Sequence, residues 1–146
     1  MNIYLGTDHA GFELKEAIKR YLQEEGYEVQ DKGALWYDGD DDYPDFVRPV
    51  AEAVAADPSA RGIILGGSGQ GEAMTANRFP GVRAAVFYGG PEEIVRLSRE
   101  HNNANILSLG ARFLTEEEAI DAVSLWLETS FKGGRHERRI RKIDNP

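Results

Sequence analysis

The run Gly66-Gly67-Ser68-Gly69-Gln70-Gly71-Glu72 sits between an apolar stretch and a helical one. Glycines let backbone N–H groups approach an anion closely, and a helix N-terminus adds positive potential. The loop is therefore suited to an oxyanion. No Lys-Ser or Lys-Thr follows it, so it is not a Walker loop, and its glycine spacing does not fit a dinucleotide fingerprint. Glu72 falls in the first turn of the following helix, where acidic residues are favoured for purely structural reasons. The functional reading makes it a general base beside an anion hole. The two readings pull its pKa in opposite directions, because the helix dipole lowers it and a proton-abstracting base gains from a raised value.

Four further segments carry reactive side chains. Gly6-Thr7-Asp8-His9-Ala10-Gly11 ends the first apolar run. Asp8 there either orients the neighbouring imidazole or binds a hydroxyl, or simply caps a helix. Asp38-Gly39-Asp40-Asp41-Asp42-Tyr43-Pro44 invites a calcium reading, but Pro49 stands where an EF-hand needs its bidentate Glu. A solvated loop is the expectation, with Tyr43 facing the ligand crevice. His101-Asn102-Asn103 precedes the last apolar run. Gly133-Gly134-Arg135-His136-Glu137-Arg138-Arg139 opens a basic C-terminal helix over about 133–143. Arg135 and Arg139 are four apart and share a helical face, which suits a phosphate. The same charge pattern also fits a solvated, frayed terminal helix. No His/Asp/Glu cluster has convincing metal-ligand spacing, so neither a metal nor a cofactor is expected.

These segments must be held by the elements between them. Ile3-Tyr4-Leu5, Tyr27–Gln30, Gly62–Leu65, Arg83–Tyr88 and Asn105–Leu109 read as five strands. Helical patterns alternate with them: Phe12 to Glu25 with Gly26 as its stop, Pro44 to about Asp57, the glycine loop through Asn77, and Pro91 to about His101. Thr115 and Glu118 have capping-box spacing ahead of a helix running to about Thr129. Strands separated by helices of this length imply parallel βαβ units with right-handed crossovers. The expected fold is a single doubly wound α/β/α domain over 1–146, with a five-stranded parallel sheet. Ligands in such folds bind beyond the carboxyl ends of the strands.

Composition narrows the classes. The chain has 146 residues, 41% of them apolar, enough for one core. With no cysteine, disulfides, zinc-thiolate sites and a thiol nucleophile are excluded, and a cytoplasmic setting is favoured. The N-terminus turns polar too soon for a signal peptide, and no run reaches the length of a membrane span. A net charge of −8 argues against nucleic acid as a partner. The basic segment from Lys132 to Lys142, opposed only by Glu137, is a local exception.

Taken together, residues 6–11, 42–44, 66–72, 99–105, 109–112 and 133–139 resemble, in collinear order, the type B ribose-5-phosphate isomerases. That family includes allose- and galactose-phosphate isomerases. The resemblance implies a Rossmann-like fold without nucleotide, a homodimer or a dimer of dimers, and a place in the pentose phosphate pathway of carbohydrate metabolism. Members divide by their base: a cysteine in the glycine loop, or a glutamate at its end. Gly66 occupies the cysteine position, so this chain resembles the glutamate branch, with Glu72 as base. The resemblance further implies an anion hole from Ser68 and the loop N–H groups around Gly67, Gly69 and Gly71. His101 would assist ring opening, and Asp8 and Tyr43 would lie near the sugar. His9, Arg135, Arg139 and Arg112 would hold the phosphate, and Asn102 would contact sugar hydroxyls. The segment Phe87–Glu92 looks longer than in other members and bears on sugar preference.

Topology adds a constraint. Glu72 follows strand three at the carboxyl edge, whereas His101 precedes strand five and so belongs at the opposite edge. Both can serve one site only if a neighbouring subunit supplies His101. The expected reaction interconverts ribose 5-phosphate and ribulose 5-phosphate through an enediolate. A six-carbon substrate (allose or galactose 6-phosphate) is the nearest alternative, and a non-catalytic sugar-phosphate or nucleotide-binding protein is the alternative of another class.

Overall fold

The computed structural model describes residues 1–146. Five strands, β1 (Asn2–Thr7), β2 (Glu28–Asp31), β3 (Arg61–Gly66), β4 (Ala84–Phe87) and β5 (Ile106–Gly110), form one sheet in the order β2-β1-β3-β5-β4. Every pairing is parallel, with Leu5 opposite Ile63 and Leu65 opposite Leu109. Six helices connect and flank them: α1 (Phe12–Glu24), α2 (Pro44–Ala56), α3 (Gln70–Ala76), α4 (Glu93–Glu100), α5 (Glu116–Glu128) and α6 (Arg135–Asp144). The doubly wound α/β architecture read from the sequence is the one observed.

Alternation along β3 shows how the layers form, since successive side chains point to opposite faces. Ile63 and Leu65 enter a core with Ile3, Leu5, Leu107 and Leu109, covered by Ile18 and Leu22 of α1, Val95 of α4 and Trp126 of α5. Ile64 points the other way, into a core with Ile106, Val47, Val50 and Val54 of α2, and Ala76 of α3. A sheet buried on both faces needs such near-continuous apolar strands.

Several boundaries shift by a residue or two. A 3-10 turn (His9–Gly11) precedes α1, and Asp8 caps it by accepting from the Ala10 N–H at 3.0 Å. Helix α4 starts at Glu93 rather than Pro91, after Gly89 and Gly90 at φ 114° and 92°. Helix α2 runs through Pro49. The capping box at Thr115 and Glu118 forms in both directions.

One buried polar contact matters for the site. Lys15, fully buried on α1, donates to both oxygens of Asp31 at 2.9 and 2.7 Å and to the Ala34 carbonyl. This anchors the start of the long β2–α2 connection, whose far end carries Asp41 and Tyr43.

Candidate active site

The strand order reverses between β1 and β3, which opens a crevice at their carboxyl ends. Two chain reversals meet there: Asp8-His9 after β1 and the glycine loop after β3. The α3 N-cap is Gly69, at φ 80°, and a Cβ there would press on the Leu109 carbonyl carbon and the Gly110 nitrogen at 3.0 and 3.2 Å. Only glycine suits both that dihedral and that space. Ser108 fixes the loop from below, its hydroxyl donating to the Gly69 carbonyl at 2.6 Å. The first-turn N–H groups of α3 have no carbonyl partner within their own helix; those of Gly69 and Glu72 turn to the Glu72 carboxylate, and that of Gln70 lies 3.4 Å from the Ser68 hydroxyl.

Glu72 lies in that first turn and is only 4% exposed. Its carboxylate rests against Gly66, in the volume a side chain at 66 would need. Burial raises its pKa above the ordinary carboxylate range, and the Asp8 charge adds to the rise; the backbone N–H groups of residues 72 and 69 pull the other way. The conflict between helix dipole and base chemistry is thus resolved in favour of a raised value, with burial supplied by the protein itself.

The wall around Glu72 comes from three other segments. Tyr43, next to the start of α2, presses its hydroxyl on Gly71, so closely that a Cβ at 71 would overlap it. Arg112, exposed and in no ion pair, crosses over Gly67, where a Cβ would lie 3.1 Å from its Nη1. Its backbone N–H donates to the Gly67 carbonyl at 3.1 Å. Ser68 is half-buried on the loop, with its hydroxyl 3.4 Å from the Gln70 N–H. Asp8 is 7% exposed, and burial raises its pKa as well.

The aspartate loop corrects the sequence reading. Asp38, Asp40 and Asp42 are exposed, as a solvated loop requires, but the Asp41 side chain is turned inward and is 7% exposed. One of its oxygens accepts from the His9 backbone N–H at 2.9 Å and lies 2.8 Å from His9 Nδ1. Asp41, not Asp8, is therefore the carboxylate that orients this imidazole. Ligand-type atoms of Asp8, His9 and Asp41 lie within 4.8 Å of one another, a grouping the spacing of these residues does not reveal.

The remaining expected residues gather elsewhere. His101 follows α4, and its ring stacks on His136 of α6 with centroids 4.2 Å apart and planes 12° apart. Asn102 is exposed, and its carbonyl accepts from Arg83 Nε at 3.1 Å. Arg83, at the start of β4, also pairs with Asp144 of α6 at 2.9 Å. Arg135 and Arg139 are exposed on α6 and make no ion pair. All of these lie at the amino edge of the sheet, a strand length (about 16 Å for five residues) from Glu72's edge. A cavity of about 490 Å³ opens on that edge beside Arg83, Asn102 and Asp144. One chain thus carries the expected site residues in two groups, at opposite edges of the sheet. The sequence reading missed Asp41, His136 and Arg83; only the basic surroundings of His136 hinted at any of them.

The Ribose/Galactose Isomerase family model matches residues 3–143. The chain belongs to this family. Ribose-5-phosphate isomerase B of Mycolicibacterium paratuberculosis is 47% identical over 141 residues, covering 96% of this chain and 87% of that one. The solved structure of ribose-5-phosphate isomerase B from Mycoplasma genitalium with bound ribulose-5-phosphate matches with a TM-score of 0.94 at 42% identity, over 98% of this chain and 93% of that one. That of Thermotoga maritima ribose 5-phosphate isomerase matches at 0.92 and 45% identity, over 99% and 98%. The matched span runs from β1 nearly to the end of α6 and so includes both groups of residues. No helix is long and apolar enough to cross a membrane.

Proposed function

We propose that this protein interconverts ribose 5-phosphate and ribulose 5-phosphate, with Glu72 as the base, in a site that a second copy completes. The observation that carries this reading is the buried Glu72 carboxylate, held against Gly66 at the carboxyl edge of the sheet with its pKa raised by burial. The relatives named ribose-5-phosphate isomerase B, one of them with bound ribulose-5-phosphate, support the same substrate pair.

His101 of the second copy promotes furanose opening. Glu72 then takes the C2 proton of the open aldehyde. The pair from the broken C2–H bond forms C1=C2, and the carbonyl pair moves onto O1. Ser68 and the N–H groups of the loop from Gly67 to Gly71 stabilise that oxyanion; removing one such donor typically lowers the rate by about 10²–10³. Return of the proton to C1, with transfer of the O2 hydroxyl proton to O1, gives the ketose. Asp8 and Tyr43 flank the sugar, and Asn102 of the second copy contacts its hydroxyls. His9 and Arg112 meet the phosphate with Arg135 and Arg139 of the second copy, so remote binding energy positions the reacting carbons.

Two half-sites on opposite edges of one sheet make a homodimer the minimal active unit. The lack of cysteine supports a cytoplasmic setting. The decisive experiment measures ketose formation from ribose 5-phosphate by purified protein in EDTA, with allose 6-phosphate and galactose 6-phosphate in parallel. Pentose turnover is the expected result. Turnover of a hexose alone refutes the substrate assignment, and binding without turnover of any of the three refutes catalysis.

A further inference from the structure

We infer that Asp41 is a positioning residue for substrate phosphate: it clamps His9 so that Nε2 is the ring atom presented to the phosphate. This inference rests on the reading of His9 as a phosphate contact, and it adds a residue to which no role has been assigned.

The geometry has three parts. First, Asp41 grips His9 at two points through one oxygen, the backbone N–H at 2.9 Å and Nδ1 at 2.8 Å. A ring held at Nδ1 and at its own backbone has a fixed orientation, and its free nitrogen is Nε2. Secondly, the grip is buried on the Asp41 side and open on the His9 side, with the carboxylate 7% and the imidazole 25% exposed. The other Asp41 oxygen, Oδ2, is buried and accepts from no protein donor, so His9 is this carboxylate's sole hydrogen-bonded partner. Thirdly, the loop that delivers Asp41 is tied down at its start by Lys15 and at its end by Tyr43 against Gly71. The Tyr37 ring meets the His9 ring edge-on at 6.2 Å and limits its swing.

Charge follows from the same arrangement. To donate from Nε2 while Nδ1 donates to Asp41, the ring must be imidazolium. The groups acting on it are Asp41 from the β2–α2 connection, Asp8 beside it, and Arg112 from the segment after β5. The Asp41 hydrogen bond raises the His9 pKa above its ordinary 6.5; burial opposes this, the Asp8 and Asp41 charges reinforce it, and Arg112 opposes it. A raised value keeps the imidazolium below the folded pKa and loses it as pH rises through that pKa. A phosphate monoester takes its second charge near pH 6. Asp41 therefore widens the window in which dianion and imidazolium coexist.

The chain has three histidines, so each ring can be followed by NMR. In the unsubstituted protein, the resonance that disappears in His9→Asn should titrate above pH 6.5. In Asp41→Asn, which keeps size and a ring acceptor, that titration should move to lower pH. The KM for ribose 5-phosphate at pH 8 should rise about tenfold, the scale of losing one charge-assisted hydrogen bond, with kcat changed about twofold at most. In a His9→Asn background, Asp41→Asn should have no further effect on KM. An unmoved His9 titration overturns the inference, and so does a KM effect that persists undiminished without His9. The NMR arm needs no turnover: should the protein fail to isomerise ribose 5-phosphate, inorganic phosphate replaces the substrate. A His9 resonance that phosphate perturbs in the unsubstituted protein but not in Asp41→Asn then upholds the clamp while the substrate reading falls; one perturbed equally in both overturns the clamp.

Discussion

Replacing Gly66 by Ala should disable the enzyme while leaving its fold in place. A Cβ at 66 would overlap the Glu72 carboxylate: its carbon and Oε2 fall inside contact, and the farthest atom, Oε1, would stand at 2.6 Å. Ordinary contact begins at 3.4 Å, so even Oε1 is about 0.8 Å too close. Neither the backbone at 66 nor its neighbours forbid alanine, because the residue ends β3 without a positive φ and the overlapped group is the tip of a side chain. The carboxylate is therefore what yields, by at least about 1 Å, since Oε2 would stand closer still than Oε1. A misplacement of that size at a reacting group lowers the rate about 10²-fold, equivalent to about 2.7 kcal/mol of transition-state stabilisation. The assay is kcat/KM for ribose 5-phosphate alongside a denaturation midpoint. Gly62→Ala is the control: its Cβ would meet Val50, Ile106 and Val54 at 2.7–3.2 Å, away from Glu72. It should lower stability by about 1–3 kcal/mol through overpacking and spare the folded enzyme's kcat/KM. A folded Gly66→Ala enzyme within about threefold of the unsubstituted kcat/KM would refute the claim that the Glu72 carboxylate works from the space beside Gly66.

Other outcomes follow from the same geometry. Glu72→Gln should retain substrate binding and lose nearly all turnover. Because burial raises the Glu72 pKa and the base acts deprotonated, kcat/KM of the unsubstituted enzyme should fall as pH drops through a value above the ordinary 4.5, which a pH–rate profile reads directly. Arg139→Ala should chiefly raise KM; an effect confined to kcat contradicts its phosphate role. Randomly reassociated Glu72→Gln and His101→Asn subunits should recover about one quarter of full activity, because half the dimers are mixed and each mixed dimer keeps one intact site. No recovery from subunits that do exchange would exclude the shared site.

Much of this was legible because it depends on local pattern. The βαβ alternation, the capping box at Thr115 and Glu118, and the placing of Asp8 and Glu72 at one sheet edge follow from periodicity and topology alone. What escaped was fixed by tertiary approach. Asp41 stands among aspartates that look alike in sequence, and only the path of the β2–α2 connection, tied by Lys15 and Asp31, decides which one turns inward. The His101–His136 stack joins residues from different helices, and no spacing rule links them. The Glu72 pKa could not be signed from its helix position, since the dipole and burial oppose each other and only the structure gives the depth of burial.

The contact between Gly66 and Glu72 also bears on the two base positions, 66 and 72, that the family resemblance implies. A side chain at 66 and the Glu72 carboxylate compete for the same volume at the end of β3. With this backbone, a base projecting from 66 would displace the carboxylate, and a carboxylate from 72 requires glycine at 66. On the reading of Glu72 as the base, the crevice at the β1–β3 reversal accommodates one base at a time, set by the residue at 66. That selection lies away from the opposite edge, where His101, Asn102, Arg135 and Arg139 are positioned by α4, α6 and the Arg83–Asp144 pair. On the shared-site reading, proton transfer can change its base within one half-site while ring opening and phosphate capture keep theirs in the other.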